Sequence, residues 1–282
     1  MRARPGARRI AGSDDGVTLV ELLIVVVTSI VVALALWAIQ DLALRQTTRV
    51  FARVDATQNA RYAMETIENR MHSACVSEGV IPIQSGSTAT SLSFISKYGS
   101  AARLTPEKHV ITLDTNGTLT DATYANTAGT APNWTFASTP SSTVTLVDNV
   151  AAMAGTPVFQ YYAYGIARDS SGNAYVDAAD NPYVMLLDGS STLPGGLRTS
   201  TGASVPVGTM PANSPSTLPV PLSVANARIA AAVKTTMVVG AGGKLGTNTR
   251  YPQEPITVSN TVVLRLTPPP ADGPLQTVRP CG

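Results

Sequence analysis

Lysine is nearly missing from this sequence: Lys97, Lys108, Lys234 and Lys244 are the only four. Charged residues of every kind make up 13% of the chain and aromatic residues 5%. No patch of basic residues interleaved with aromatics is present, so a nucleic-acid partner is not expected. Histidine occurs twice, at His72 and His109, and cysteine twice, at Cys75 and Cys281. Two remote histidines do not make a metal site. No CxxC, HExxH, GxSxG or P-loop string occurs either. The sequence therefore offers no catalytic residues, no metal or cofactor site and no nucleotide site, and an enzyme reading has nothing behind it. An even cysteine count in an exported chain permits one disulfide, Cys75–Cys281, with two buried free thiols as the alternative. A bridge closing so long a loop contributes on the order of 4–5 kcal/mol in the chain-entropy model.

With 282 residues the chain is long enough for one or two domains with a sizeable core. Its net charge is +2, and residues 1–16 supply that excess: Arg2, Arg4, Arg8 and Arg9 stand against Asp14 and Asp15. The rest of the chain is neutral. Immediately after this basic segment comes the most apolar run of the sequence, Val17 to Ile39, VTLVELLIVVVTSIVVALALWAI. As a helix it covers about 35 Å, enough to cross a hydrocarbon core of roughly 30 Å. Trp37 falls near one interface. The arginines before the run keep residues 1–16 cytoplasmic and place the chain beyond about Gln40 outside.

Glu21 interrupts this run. A secretory signal peptide fits poorly, because the apolar stretch is too long and no small-residue cleavage site lies between Ile39 and Thr48. A plain anchor accounts for the length and leaves a carboxylate in lipid, at roughly 2.5–3.5 kcal/mol if it lay at the helix centre. The whole string, a short basic leader ending in Gly16, then Val17-Thr18-Leu19-Val20-Glu21 and a long apolar helix, resembles the N-terminal signature of type IV pilins and pseudopilins. That resemblance implies a prepilin-type cleavage between Gly16 and Val17 and N-methylation of the new terminus at Val17. It also implies a role for Glu21 in filament assembly, pairing with the N-terminal amine of a neighbouring subunit. A buried unpaired carboxylate is costly and a paired one is tolerable. Val17 departs from the family, where phenylalanine is usual, as does the acidic pair Asp14-Asp15.

Helical spacing continues past the apolar run. Ala60, Met64, Ile67, Met71 and Ala74 recur every three or four residues, and neither proline nor glycine intervenes between Val17 and Ser77. One helix from Val17 to about Val76 is expected, broken by Gly79 and Pro82. Arg45, Arg49 and Arg53 form a basic stripe that suits lipid headgroups or acidic groups of neighbouring subunits; the alternative is a solvated face with Asp41 and Arg45 paired. Major pilins usually carry a helix-kinking proline where Ala38 stands, which favours a minor pilin or a pseudopilin.

From residue 91 the texture is that of strands. Segments Ser91–Ser96, His109–Leu113, Gly117–Thr120, Ser142–Val150, Val158–Tyr164, Tyr183–Leu187, Ile229–Val239 and Val258–Leu266 read as β. The acidic stretch Asp169–Asp180 misplaces glycine for a calcium loop of the EF-hand kind and reads as a hairpin turn. Residues 189–223 are mostly Ser, Thr, Gly and Pro, and read as a long loop. The expected fold is α+β: a long N-terminal α-helical spine, membrane-spanning in its first half, packed on an antiparallel β-sheet head. Its parts are a leader at 1–16, a membrane or filament-core helix at 17–39, an amphipathic continuation at 40–78 and a β-rich head at 79–282. The order of the later strands is similar to that of the larger minor pilins, the J-type pseudopilin of type II secretion and the W-type minor pilin. The family implies a structural subunit of a type IV pilus or secretion pseudopilus, held in the cytoplasmic membrane with its head outside. Its partners would be a prepilin peptidase, other pilin or pseudopilin subunits, a membrane-embedded assembly platform and the lipid bilayer. A tip adhesin or DNA-uptake receptor on such a filament is the alternative, resting on the 189–223 loop and the Tyr161-Tyr162-Ala163-Tyr164 strand.

Overall fold

The computed structural model describes residues 18–75, 80–98, 105–130, 133–240 and 255–264. The chain divides into two compact units, Met1–Phe51 and Ala52–Gly282. Helix α1 (Leu19–His72) begins in the first and ends in the second.

In the first unit the leucine, valine and isoleucine side chains of α1 are exposed from Leu19 to Phe51. Among the described residues α1 is the one helix long and apolar enough to cross a membrane. Valine and isoleucine are mediocre helix formers in water. In hydrocarbon, a helix is what lets a single segment satisfy all its own backbone groups. The hydroxyls obey the same constraint. Thr28 donates back to the carbonyls of Ile24 at 2.9 Å and Val25 at 3.0 Å. Thr47 and Thr48 do so to Ala43 and Leu44, at 2.8 and 2.9 Å.

In the second unit α1 buries Ala56, Ala60, Ala63, Met64, Ile67 and Met71, the spacing of one helical face. The helix stops at His72, short of the expected Val76. Strand pairing takes over there. Ala74 bridges Ser96, and the Cys75 N–H donates to the Ile95 carbonyl at 2.9 Å.

Two antiparallel sheets face this helix. The first runs β1 (Ser91–Tyr98), β2 (Thr105–Leu113), β3 (Leu119–Ala128), and β3 also carries β4 (Thr135–Phe136) and β5 (Ser142–Val147). In the second, β6 (Val150–Ala151) pairs with β11 (Ala230–Val239), whose neighbours are β12 (Ile256–Val263) and β7 (Phe159–Ile166); β7 in turn pairs with β9 (Val184–Leu186). A small ladder joins β8 (Tyr175–Val176) to β10 (Arg198–Thr199). One hydrophobic cluster unites the α1 face with Leu92, Phe94 and Ile111 of the first sheet and Phe159, Tyr161, Val233 and Met237 of the second. The α+β architecture expected from the sequence is the one observed.

Other elements also differ from expectation, among them β3, which runs to Ala128 and not to Thr120. Ile229 ends a short helix, α2 (Val224–Ile229), whose cap Ser223 accepts the Asn226 N–H at 3.1 Å. The strand after it starts fully buried: Ala230, Ala231, Ala232 and Val233 are all inside. They have cover on both sides, because Ala231 and Ala232 pack with Tyr162 and Leu186 while Ala230 and Val233 enter the main core. The Ser142–Val150 strand breaks at Asn149, whose φ of 61° turns the chain from β5 into β6.

Residues 189–223 form more than a loop. They carry β10, and Leu193 and Leu197 join Ala167, Tyr175, Met185 and Leu187 in a second small core. Main-chain bonds fix the rest: Leu193 to Thr209 at 2.8 Å, Leu218 to Tyr161 at 2.8 Å and Leu222 to Ser87 at 2.8 Å. A few leucines among the prolines and glycines suffice to fold the segment inward.

Candidate functional site

The sequence-derived site centres on the start of α1. Gly16 and Val17, the expected cleavage and methylation positions, lie outside the described residues. Thr18 and Glu21 lie within them. Thr18 precedes the first helical residue, Leu19, and its Oγ1 accepts the Glu21 N–H at 3.3 Å. The same hydroxyl lies 3.5 Å from Glu21 Oε2, to which it donates. Threonine before the helix with glutamate three residues on has the residue pattern of a capping box, with the carboxylate here meeting the threonine hydroxyl in place of its N–H. The carboxylate also sits in the first turn, where the partial positive charge of the helix end favours it. Glu21 therefore has a local function. It is half-used: among the described residues Oε1 accepts no hydrogen bond.

Further along α1, Arg45 pairs with Asp41 at 2.6 Å on an exposed face. That pair is the alternative expected for the basic stripe at its first position. At these exposures it adds a few tenths of a kcal/mol.

A second charged group was not foreseen. Arg70, near the end of α1, makes an ion pair through Nη1 with Asp121 Oδ2 on β3. Asp121 is 0% exposed and Arg70 24% exposed. His109 on β2 completes the group, with Nδ1 3.2 Å from each Asp121 oxygen. Its ring stacks on Phe94, centroid to centroid 5.4 Å. Burial first, and then the neighbouring Arg70 guanidinium, push the His109 pKa down to about 4. The ring is therefore neutral near pH 7. Arg70 Nη1 also lies 3.1 Å from Nδ1, so the guanidinium, the carboxylate and one ring nitrogen meet at a single point. This arrangement fixes the end of α1 against the first sheet and leaves no exposed nucleophile, so its chemistry is that of a latch. One sequence signal was available: Asp121 shares the inward parity of Leu119 on β3, where a charge demands a partner.

Cys75 is disulfide-bonded and packs with Val80, Ile95, Trp134 and Phe136. Cys281, the partner expected from the sequence, lies outside the described residues. The acidic stretch forms two turns of one design. Asp169 Oδ1 accepts the N–H groups of Ser171 at 2.9 Å and Asn173 at 2.8 Å. Asp177 Oδ1 accepts those of Ala179 at 2.8 Å and Asn181 at 2.9 Å. Gly172 and Asp180 take the left-handed position that such turns need, at φ 84° and 63°. The asparagine amides in the first case, and the backbone N–H bonds in the second, hold both carboxyls below their usual range. Of the tyrosines proposed for a binding strand, Tyr161 and Tyr162 are buried, and Tyr161 donates its hydroxyl to the carbonyls of Thr88 at 3.0 Å and Ser91 at 3.2 Å. Tyr164 alone of the three is exposed.

No protein-family model, no curated protein and no solved structure matches this chain.

Proposed function

We propose that this chain is a minor pilin or pseudopilin, a structural subunit that helps to initiate or cap a filament drawn out of the cytoplasmic membrane. The observation that carries this reading is Glu21. It stands in the first turn of a helix apolar enough to span a bilayer, directly after a basic segment ending in glycine, and that helix continues into the core of a β-rich unit. Within the subunit the carboxylate meets one hydroxyl, and its second oxygen has no donor among the described residues. In hydrocarbon such a group is costly until a cation reaches it. Cleavage after Gly16 creates one on each subunit, the α-amine of Val17. A neighbour's amine then completes Glu21, and the cost of leaving it incomplete selects for assembly in register. Energy for extrusion has to come from a separate ATPase, since no nucleotide motif occurs in the sequence.

Glu21→Gln separates this reading from the local one. Glutamine still caps the helix, yet it cannot neutralise an ammonium group. The expected result is normal membrane insertion and processing with loss of incorporation into filaments, measured by immunoblot of sheared filaments. Normal incorporation of Glu21→Gln would reduce Glu21 to a cap. Independently, mass spectrometry of the mature protein is expected to find N-methylated Val17, and an intact Met1 or a cut near Gln40 would sink the family reading.

A further inference from the structure

Strand β12 is an edge. It pairs with β11 over eight residues without a bulge, and among the described residues nothing pairs with its other side. The Leu264 N–H donates to the Ala231 carbonyl at 2.8 Å. Antiparallel ladder bonds recur at every second residue. Val262, Asn260, Val258 and Ile256 therefore direct their backbone groups to β11, while Thr257, Ser259, Thr261 and Val263 direct theirs outward. One of the outward groups is already stopped. The Thr261 N–H donates to Oδ1 of its neighbour Asn260 at 2.8 Å, and the Asn260 amide is tethered in turn to Glu68 Oε2 on α1 at 2.9 Å.

Edge strands are ordinarily protected by lysine, proline, a bulge or an inward charge. Ile256-Thr257-Val258-Ser259-Asn260-Thr261-Val262-Val263 has none of these, and most of its residues are β-branched. Among the described residues its cover is one asparagine side chain. The segment after β12 is ill suited to fill the edge, because Pro268, Pro269, Pro270 and Pro274 have no N–H to donate.

We propose that the β12 edge docks the β12 edge of a second copy of this chain, antiparallel, with Asn260 as the cap that the incoming strand displaces. The strand is self-complementary in the one register that uses all four outward residues. Thr257 then faces Val263 and Ser259 faces Thr261 in the hydrogen-bonded pairs, Val258 faces Val262, and Asn260 faces itself. No charge opposes a like charge anywhere along it. The proposal stands apart from the pilin reading, since it uses only the geometry of the second unit.

The register gives the test. Facing residues at a non-hydrogen-bonded position lie about 4.5 Å apart at Cα, within the span of a disulfide. The full chain carrying Asn260→Cys, in a large excess of detergent micelles, is expected to give a covalent dimer on mild oxidation, resolved on a non-reducing gel. Thr257→Cys faces Val263 and is expected to give at least tenfold less. Ser259→Pro added to Asn260→Cys removes an outward N–H and no bond to β11, so the dimer should disappear while the far-UV spectrum stays unchanged. Equal cross-linking at positions 257 and 260, or cross-linking that survives the proline in a folded chain, overturns the proposal. So does a dimer that forms only after residues 265–282 are removed, because the edge would then belong to the chain's own tail.

Discussion

Removing Arg70 should cost more stability than removing Asp121, although the two make the same ion pair. Breaking a buried pair costs about 3–5 kcal/mol because the remaining charge is stranded. The size of that penalty depends on which charge remains. Arg70→Ala leaves Asp121, which is 0% exposed, with the His109 ring as its one side-chain partner among the described residues. Asp121→Ala leaves Arg70, which is 24% exposed on a long side chain and able to turn toward water. We expect about 4 kcal/mol for Arg70→Ala and about 2 kcal/mol for Asp121→Ala. The double change Arg70→Met with Asp121→Leu leaves no stranded charge and should fall within about 1 kcal/mol of the parent. The measurement is urea unfolding of the full chain in micelles, followed by near-UV circular dichroism to report packing of the second unit. The reasoning fails if Asp121→Ala proves the worse variant, or if the double change costs as much as Arg70→Ala.

Three other outcomes are expected. Protonation of His109 is suppressed in the folded chain to about pH 4, against 6.5 for a free imidazole. The unfolded chain therefore binds the extra proton between those values, and stability falls as pH drops from 6.5 toward 4, by at most about 3 kcal/mol. Asp121, Arg70, Glu107 and Thr123 all face the ring; His109→Gln should flatten the slope in a pH series of urea midpoints, and an unchanged slope would place the titration elsewhere. Non-reducing peptide mapping should recover the Cys75 peptide joined to the one holding Cys281, and a Cys75 peptide found as free thiol refutes the bridge. Finally, Leu193→Ala should destabilise the second unit by about 2–3 kcal/mol, because Leu193 is 1% exposed in a small core; a neutral result would return residues 189–223 to the status of a loop.

The parts of the fold that were legible are those with a period. The buried face of α1 follows from the three- and four-residue spacing of Ala60, Met64, Ile67 and Met71, and β1, β2 and β5 from alternation and β-branched residues; β3 was legible only as far as Thr120, and β4 not at all. What stayed hidden depends on neighbours distant in sequence. That Ile229–Val239 contains a strand was legible, but that Tyr162 and Leu186 cover Ala231 and Ala232 was not, because that cover comes from β7 and β9. The 189–223 segment has the composition of a loop, and only its pairing with β8 and the burial of Leu193 reveal a folded piece. Helix α1 ended early because Ala74 and Cys75 found strand partners, a tertiary event that no cap residue announces. The Arg70–Asp121–His109 group joins residues 39 and 12 positions apart in the chain, so composition and motif searching could not assemble it.

Glu21 shows how a local and a collective explanation can share one residue. The cap that Thr18 forms with Glu21 contributes on the order of 1 kcal/mol, most of it through the threonine hydroxyl. That is less than the roughly 2.5–3.5 kcal/mol that a lone carboxylate costs at mid-bilayer, although the first turn of a helix lies nearer the interface, where the cost is smaller. A cap needs no charge: glutamine serves it as well and enters lipid more cheaply. Within the proposed function, what a carboxylate adds beyond the cap and its place at the helix end is a bond to a partner cation that arrives after the helix is already in place. Thr18 is suited to the interval before that. It holds one oxygen of the carboxylate at 3.5 Å, a long hydrogen bond that a charged donor at closer range readily replaces. Within the proposed function, the capped state belongs to the free subunit in the membrane and the paired state to the filament, and a weak first contact is what allows the exchange.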